Sequence, residues 1–192
     1  MLEVVCDSDV LINLSYPLRS LPFFLKKLRM FLKIKNVQLL TTTFIWEVEI
    51  KKSWQKTELE KLRKTKNLKL ESVSIDEIER YRKRILQEQG TDKILSLGFG
   101  ELSASLLVEK LLDKNKKAVL ITGNERDINI LKMRNIPIVH LFWLYISMKK
   151  EVLSDEEFFS LIEIVKEDRV IKISKLKEKE QLYEDFDLDA FI

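Results

Sequence analysis

The chain has 192 residues, 45% of them hydrophobic, with 34 Lys and Arg against 31 Asp and Glu, enough for one domain with a full core. A single cysteine and a single histidine exclude a disulfide scaffold, a Cys-rich zinc site, two-imidazole acid–base catalysis and multi-histidine metal sites. No apolar run approaches the roughly 20 residues that cross a bilayer, and the opening MLEVVCDSDV has no basic stretch or cleavage site, so a soluble, cytoplasmic protein with no membrane partner is expected.

In chain order, Leu2–Cys6 is a short apolar run ended by Asp7-Ser8-Asp9, which predicts a strand followed by a helix N-terminus. Val10 to Lys33 reads as helix, interrupted near Pro17 and Pro22. Val37–Thr41 reads as a second strand and Phe44 to Lys66 as a charged helix. The stretch Lys51–Lys69 holds eight basic and two acidic residues, a pattern that suits either nucleic-acid contact or a solvated face. Leu68–Val73 fits a short strand or an extended connection. Ile75, Ile78, Arg82 and Ile85 then fall at helical spacing, with Ser74 as N-cap three residues before Glu77. A helix is predicted from Phe99 to Lys114. Ala118–Ile121 is uninterruptedly apolar, as a parallel strand covered on both faces must be. Asn124–Arg134 reads as helix, Ile136–His140 as strand, and Leu141–Lys150 and Ser154–Asp168 as helices. This alternation predicts an α/β fold: three α/β/α layers around a central parallel sheet of four to five strands. The composition shifts near residue 150. Residues 1–150 hold 28 basic and 18 acidic residues, whereas residues 151–192 hold six and 13, so the latter are expected to form an acidic, helical C-terminal extension.

In such a sheet, ligands bind beyond the carboxyl ends of the strands. Asp7 and Asp9 follow the first strand, Thr41-Thr42-Thr43 ends the second with Glu47 one turn later, and the central strand ends Thr122-Gly123-Asn124-Glu125-Arg126-Asp127. Acidic side chains recurring at one edge, without histidine, cysteine or a phosphate-binding glycine loop, suit Mg²⁺ or Mn²⁺. Taken singly, Asp7 or Asp127 is equally a helix N-cap. Glu101 shares a helix face with Ser105, Val108 and Leu112, where a carboxylate needs either a Lys or Arg partner or a metal.

These segments resemble a known family. Val4 to Ile12, with Asp7, is similar to the opening strand and first acid of PIN-domain nucleases. Thr41 to Glu47 is similar to their second strand and glutamate, Leu97 to Ala104 to their Gly-Glu segment, and Val119 to Asp127 to their last acidic turn. Asn135-Ile136-Pro137-Ile138 matches their final strand, so the resemblance covers residues 1–150. It implies a divalent-metal-dependent endoribonuclease, of the kind found as toxins of toxin–antitoxin pairs or as RNA-processing enzymes. Asp7, Glu101 and Asp127 would bind Mg²⁺ or Mn²⁺, with Glu47 a direct or water-mediated ligand and Ser8 and Asn124 as supporting groups. Lys51, Lys52, Lys56 and Arg126 would contact the RNA backbone, with DNA left open as a substrate. A homodimer and an antitoxin or other protein partner are implied by the resemblance alone. One departure is visible: Asn124 stands where many PIN domains have aspartate, which keeps an oxygen ligand but removes a charge. A catalytically weakened module that binds RNA or protein is therefore the alternative, and a regulatory subunit acting through its acidic end is a third.

Gly98 to Ser103 is a broken dinucleotide-binding motif with no strand before it. Trp46 and Trp143 sit among apolar residues and are expected in the core, whereas Trp54, among lysines, is the better base-stacking candidate. Cys6 is expected to pack in a buried strand and His140 to be hydrogen-bonded in a structural role. Residues 178–192 carry six acids and one lysine interleaved with Leu182, Tyr183, Phe186, Leu188, Phe191 and Ile192. This segment is read either as a packed terminal helix or as one that docks on the basic surface.

Overall fold

In a computed structural model of the chain, the described residues are 1–89, 97–132 and 135–167. Strands β1 (Leu2–Cys6), β2 (Val37–Thr42), β3 (Leu68–Glu71), β4 (Ala118–Thr122) and β5 (Ile138–His140) form one all-parallel sheet, ordered β3-β2-β1-β4-β5. Val4 lies between Leu39 and Val119 at the sheet centre. Every residue of β1 and β4 is buried, as strands covered on both faces are; the one charge among them, Glu3, is paired with Lys116 at 2.7 Å. The fold is α/β with helices flanking the sheet. Helices α1 (Ser8–Ser20), α2 (Phe24–Ile34), α3 (Ser53–Lys64), α7 (Phe142–Glu151) and α8 (Asp155–Glu167) contact one another, while α4 (Ile75–Gln89) and α5 (Phe99–Leu112) pack together against the sheet. Helix α6 (Glu125–Lys132) lies on β4 and β5.

The chain moves outward from β1 to β2 to β3, then crosses to the other side of β1 for β4 and β5. The strand order therefore reverses between β1 and β4, and the crevice beyond their carboxyl ends is the place where an open parallel sheet binds ligands. Helices α1 and α5 both begin at this edge, directing their positive dipole ends toward it.

The sequence signals that set element boundaries are local. Ser74 and Glu77 form a reciprocal capping box, with Ser74 N–H donating to Glu77 Oε2 at 2.9 Å and Glu77 N–H to Ser74 Oγ at 3.3 Å. Ser154 and Glu157 repeat it at α8. Asn36, Asn115 and Asn135, with φ of 51, 55 and 57°, and Lys66 at 60°, make the left-handed turn between a helix and the next strand, a conformation asparagine tolerates best after glycine. Pro17 is accommodated inside α1, and the break falls at Leu21–Phe23 beside Pro22.

Two expectations are corrected. The predicted helix from Phe44 to Lys66 is two elements, a π-helical turn (Ile45–Glu49) and α3. Thr42 Oγ1 accepts from Ile45 N–H at 3.2 Å, and Ile50 N–H reaches back five residues to Ile45 carbonyl at 3.1 Å. Burying Ile45, Trp46 and Ile50 together imposes this wider turn, after which Ile50 is non-helical and α3 restarts. Strand β5 begins at Ile138 because Pro137 has no N–H for the ladder, although its carbonyl still accepts from Leu120.

Helix α8 is seated in the main core through Phe158, Leu161 and Val165. Lys27 secures its start, donating to Val152 carbonyl at 2.7 Å and pairing with Glu157 at 2.8 Å. The aromatic acidic end, residues 178–192, lies outside the described residues. No helix among the described residues is long and apolar enough to cross a membrane.

Candidate metal centre

Four carboxylates meet at the switch point: Asp7, Asp9, Glu49 and Glu101. Asp7, only 3% exposed, caps α1 by accepting from Val10 N–H at 3.0 Å. Burial pushes its carboxyl well above the usual carboxylate range. The Thr122 hydroxyl and the Val10 N–H draw it back, and the charges of Asp9 and Glu101 push it further up. Asp9 stands at the rim, where partial desolvation raises its carboxyl. Glu49 is raised by desolvation first; the Ser8 hydroxyl and Gly100 N–H lower it, and the charges of Glu101 and Asp9 raise it again. No lysine or arginine pairs with any of the four among the described residues, so the cluster holds negative charge without a countercharge.

Hydroxyls at the end of β2 hold this edge together. Thr41 Oγ1 donates to Cys6 carbonyl at 3.0 Å, tying β2 to β1. Ser103 Oγ donates to Gly100 carbonyl at 2.8 Å, so the 2.9 Å Thr42–Ser103 bond carries the Thr42 proton, while Thr42 Oγ1 accepts from Ile45. One buried threonine thus fixes the π-helical turn against the first turn of α5, which sets Glu49 opposite Glu101.

Three of the chain's four glycines border the cluster. A Cβ on Gly100 would stand 2.1 Å from Glu49 Oε2, and one on Gly98 would stand 2.5 Å from Glu101 Oε2. Gly123 lies against Asp9, its Cβ position 3.4 Å from Asp9 Cβ. The backbone of α5 therefore forms a cradle that only glycine leaves open to the carboxylates. Within it, Glu49 Oε2 is buried without a hydrogen-bond partner.

The predicted site residues separate into those brought together and those left out. Asp7 and Glu101 lie near enough for their charges to act on each other, and the Ser8 hydroxyl lies near enough to Glu49 to favour its charged form. Glu47 does not join them: it is exposed on the far side of the π-helical turn and faces Lys56 at 3.7 Å. Glu49, two residues on, occupies the place expected of Glu47. Asn124 caps α6, its Oδ1 accepting from Arg126 N–H at 3.0 Å and its own N–H donating to Thr122 Oγ1 at 3.1 Å. Asp127 stands in the first turn of α6, but its side chain lies outside the described residues. Lys51, Lys52 and Arg126 are exposed, whereas Lys56 is half-buried beside Glu47.

The other singled-out residues are packed. Trp54 is held between Tyr16, ring centroids 5.1 Å apart, and the Arg19 guanidinium at 4.9 Å, so the stacking face expected to be free is occupied. Trp46 and Trp143 are core residues. Burial raises the Cys6 thiol far above the nucleophilic range. His140 Nδ1 accepts from Phe142 N–H at 3.2 Å, which leaves Nε2 to donate to Gly123 carbonyl at 3.1 Å.

The chemistry of this edge, carboxylate and hydroxyl oxygens with unneutralised charge and one buried oxygen without a protein partner, is the kind a hard divalent cation takes. Among the described residues, no group of three or more His, Cys, Asp or Glu side chains is placed to hold a metal ion as the side chains stand. Compared with known proteins, the chain matches no family model and no curated sequence.

Proposed function

We propose that the chain is a divalent-metal-dependent endoribonuclease of the PIN-domain type, acting at the carboxyl edge between β1 and β4. The observation that carries this reading is the unneutralised convergence of Asp7, Asp9, Glu49 and Glu101 at the switch point, with Glu49 Oε2 buried and unpartnered. Asp7, Glu49 and Glu101 would hold Mg²⁺ or Mn²⁺, with Asp9 on the acidic rim, Asp127 added by the motif resemblance alone, and Ser8 placed to steady the Glu49 carboxylate. When bound, the cation supplies Lewis-acid activation of water and of a phosphodiester. The protein's part is to keep Asp7 fixed through Val10 N–H and to keep bulk water from Glu49 Oε2. RNA is favoured as substrate by the motif resemblance, and Lys51, Lys52 and Arg126 are exposed cations placed to meet its backbone.

Asn124 supports the alternative of a module that binds without cleaving, since it removes one charge from this edge. Cleavage of a mixed RNA pool with Mn²⁺ or Mg²⁺ separates the two, with a DNA pool run in parallel. Wild type and Glu47→Gln should cleave, while Glu49→Gln loses at least about 100-fold, since even residues behind the ligands cost 10–100-fold. No cleavage by folded wild type overturns the nuclease reading, and equal loss in Glu47→Gln overturns the assignment to Glu49.

A further inference from the structure

Two cavities lie away from the acidic edge. The one between α4 and α5, about 310 Å³, is lined by Arg80, Arg84 and Lys110, but Arg84 and Lys110 are tied to Glu109 and to Glu77 in its wall, which leaves Arg80 as its single cation without an ion pair among the described residues. The other, about 460 Å³, is different. It is lined by Lys26, Arg29, Met30 and Lys33 of α2 facing Thr65 and Asn67, and it has no acidic residue in its wall. Among the described residues, Lys26, Arg29 and Lys33 have no ion-pair partner. Lys27, on the same helix but turned away, pairs with Glu157, as Lys35 just beyond pairs with Glu151. The three open cations recur at steps of three and four, so they form one stripe about 10 Å long. Exposed Lys64 and Lys66 flank the opposite wall, and the left-handed turn at Lys66 brings that wall to the groove.

We propose that this groove is a second binding site, for the sugar–phosphate backbone of single-stranded RNA, distinct from the acidic edge. The proposal rests on the reading of the chain as an RNA-acting protein. A linear stripe of unpaired cations matches a polymer of regularly spaced phosphates, and with no aromatic ring in the wall it grips backbone without reading bases. Its position adds a length requirement. Lys33 and Asn67 lie just before β2 and β3, at the amino edge of the sheet, whereas the carboxylates lie at the opposite edge. Five residues of strand separate the two edges by about 16 Å. A strand engaging both sites must wrap the α2–α3 side of the domain, and a di- or trinucleotide reaches only one.

The test uses the full chain with Lys26→Ala, Arg29→Ala and Lys33→Ala combined. These side chains are exposed, and the buried face of α2, Phe24, Leu28, Phe31 and Leu32, is untouched. Binding of a fluorescent mixed-sequence 20-mer RNA is titrated in EDTA from 50 to 200 mM salt, so that neither hydrolysis nor a cation enters the result. A single strand contributes a log–log slope near −0.7 per neutralised phosphate, so the triple variant should flatten the slope by about 2 and weaken binding at least about tenfold at 50 mM. Where cleavage occurs, the variant should lose the advantage of 20-mer over trinucleotide substrate in KM and keep the trinucleotide rate. An unchanged slope overturns the groove. So does an equal loss when three cations elsewhere, Lys83, Lys114 and Lys150, are replaced. A poly-glutamate peptide competing as well as RNA of equal charge would assign the groove to acidic protein segments and also overturn it. Groove-dependent RNA binding without any cleavage would support the groove and refute the nuclease reading alone, while cleavage with an unchanged slope would do the reverse.

Discussion

Replacing Gly100 with alanine isolates the cradle from the fold. The new methyl would lie 2.1 and 2.4 Å from the two Glu49 carboxylate oxygens. To reach ordinary contact distance the nearer oxygen must retreat by about 1.4 Å. Because the obstacle is the end of a flexible side chain rather than backbone, the carboxylate gives way and the helix does not. Two terms in the folding free energy then oppose each other. Alanine in the first turn of α5 gains up to about 1 kcal/mol over glycine. Moving Glu49 away from the polar Ser8 and Gly100 groups that favour its charged form costs a comparable amount at most, part of it offset by relief of repulsion from Glu101 and Asp9. Urea unfolding without divalent cation should therefore place Gly100→Ala within about 1 kcal/mol of wild type. The site should not be spared: a displacement of about 1 Å in a catalytic group costs on the order of 100-fold in rate. Mn²⁺ titration by calorimetry and RNA cleavage should both show the loss in a protein of normal stability. Unchanged Mn²⁺ affinity would refute the role of the cradle, and destabilisation by more than about 2 kcal/mol would show that Glu49 is fixed by packing instead.

Thr42→Val keeps the shape of the buried threonine but leaves Ile45 N–H without a partner and Ser103 Oγ without its donor, so thermal unfolding should show a loss of about 2 kcal/mol, a Tm lower by roughly 4–8 °C; an unchanged Tm would show that this hydroxyl does not hold the edge. Asp7→Asn should stabilise the cation-free protein, since asparagine still caps α1 and the buried charge is gone. A carboxyl raised in the folded state stabilises fully below its unfolded pKa near 3.9, and the contribution is lost as pH climbs through the raised value, so the Tm advantage of Asp7→Asn should grow from pH 4 to pH 8 and reverse when saturating Mn²⁺ stabilises wild type alone. An advantage independent of pH would refute the burial argument.

The sheet was legible because buried parallel strands carry short apolar cores, residues 4–6, 39–40 and 118–121, each followed by polar residues at the carboxyl edge. Asp7 and Glu101 could be found from the sequence because a strand end and a helix stripe position them without reference to any distant contact. Glu49 was missed because a motif read by position favoured Glu47. The periodicity carried the answer, since at 100° per residue Glu49 lies between Ile45 and Trp46 in angle, while Glu47 points away with exposed Val48. The break before α3 had no comparable signal, since the π-helical turn arises from a threonine hydroxyl and a core that must take Ile45, Trp46 and Ile50 at once. Trp54 looked available because its occupants, Tyr16 and Arg19, are nearly 40 residues away in sequence. The unpaired stripe on α2 was invisible for the same reason, because neighbouring Lys27 and Lys35 differ from it only in the acids that tertiary packing brings to them.

Asn124 takes on a different meaning once Asp9 and Glu49 stand in the cluster. Thr122 accepts from Asn124 N–H, and its hydroxyl lies close enough to Asp7 to favour the charged form, so residue 124 neighbours the most deeply buried acid at the edge. A carboxylate at half-buried position 124 would add another negative charge beside Asp7, whose carboxyl burial and the charges of Asp9 and Glu101 already raise. Asparagine caps α6 just as well, through Oδ1 and Arg126 N–H, without that repulsion. The charge removed at 124 is present instead at Asp9, where the rim is open to solvent and Gly123 leaves space beside it. Counting carboxylates against a family pattern would score this edge as depleted. Counting the charges that converge there gives four without a partner among the described residues, which is the electrostatic condition that a divalent cation relieves.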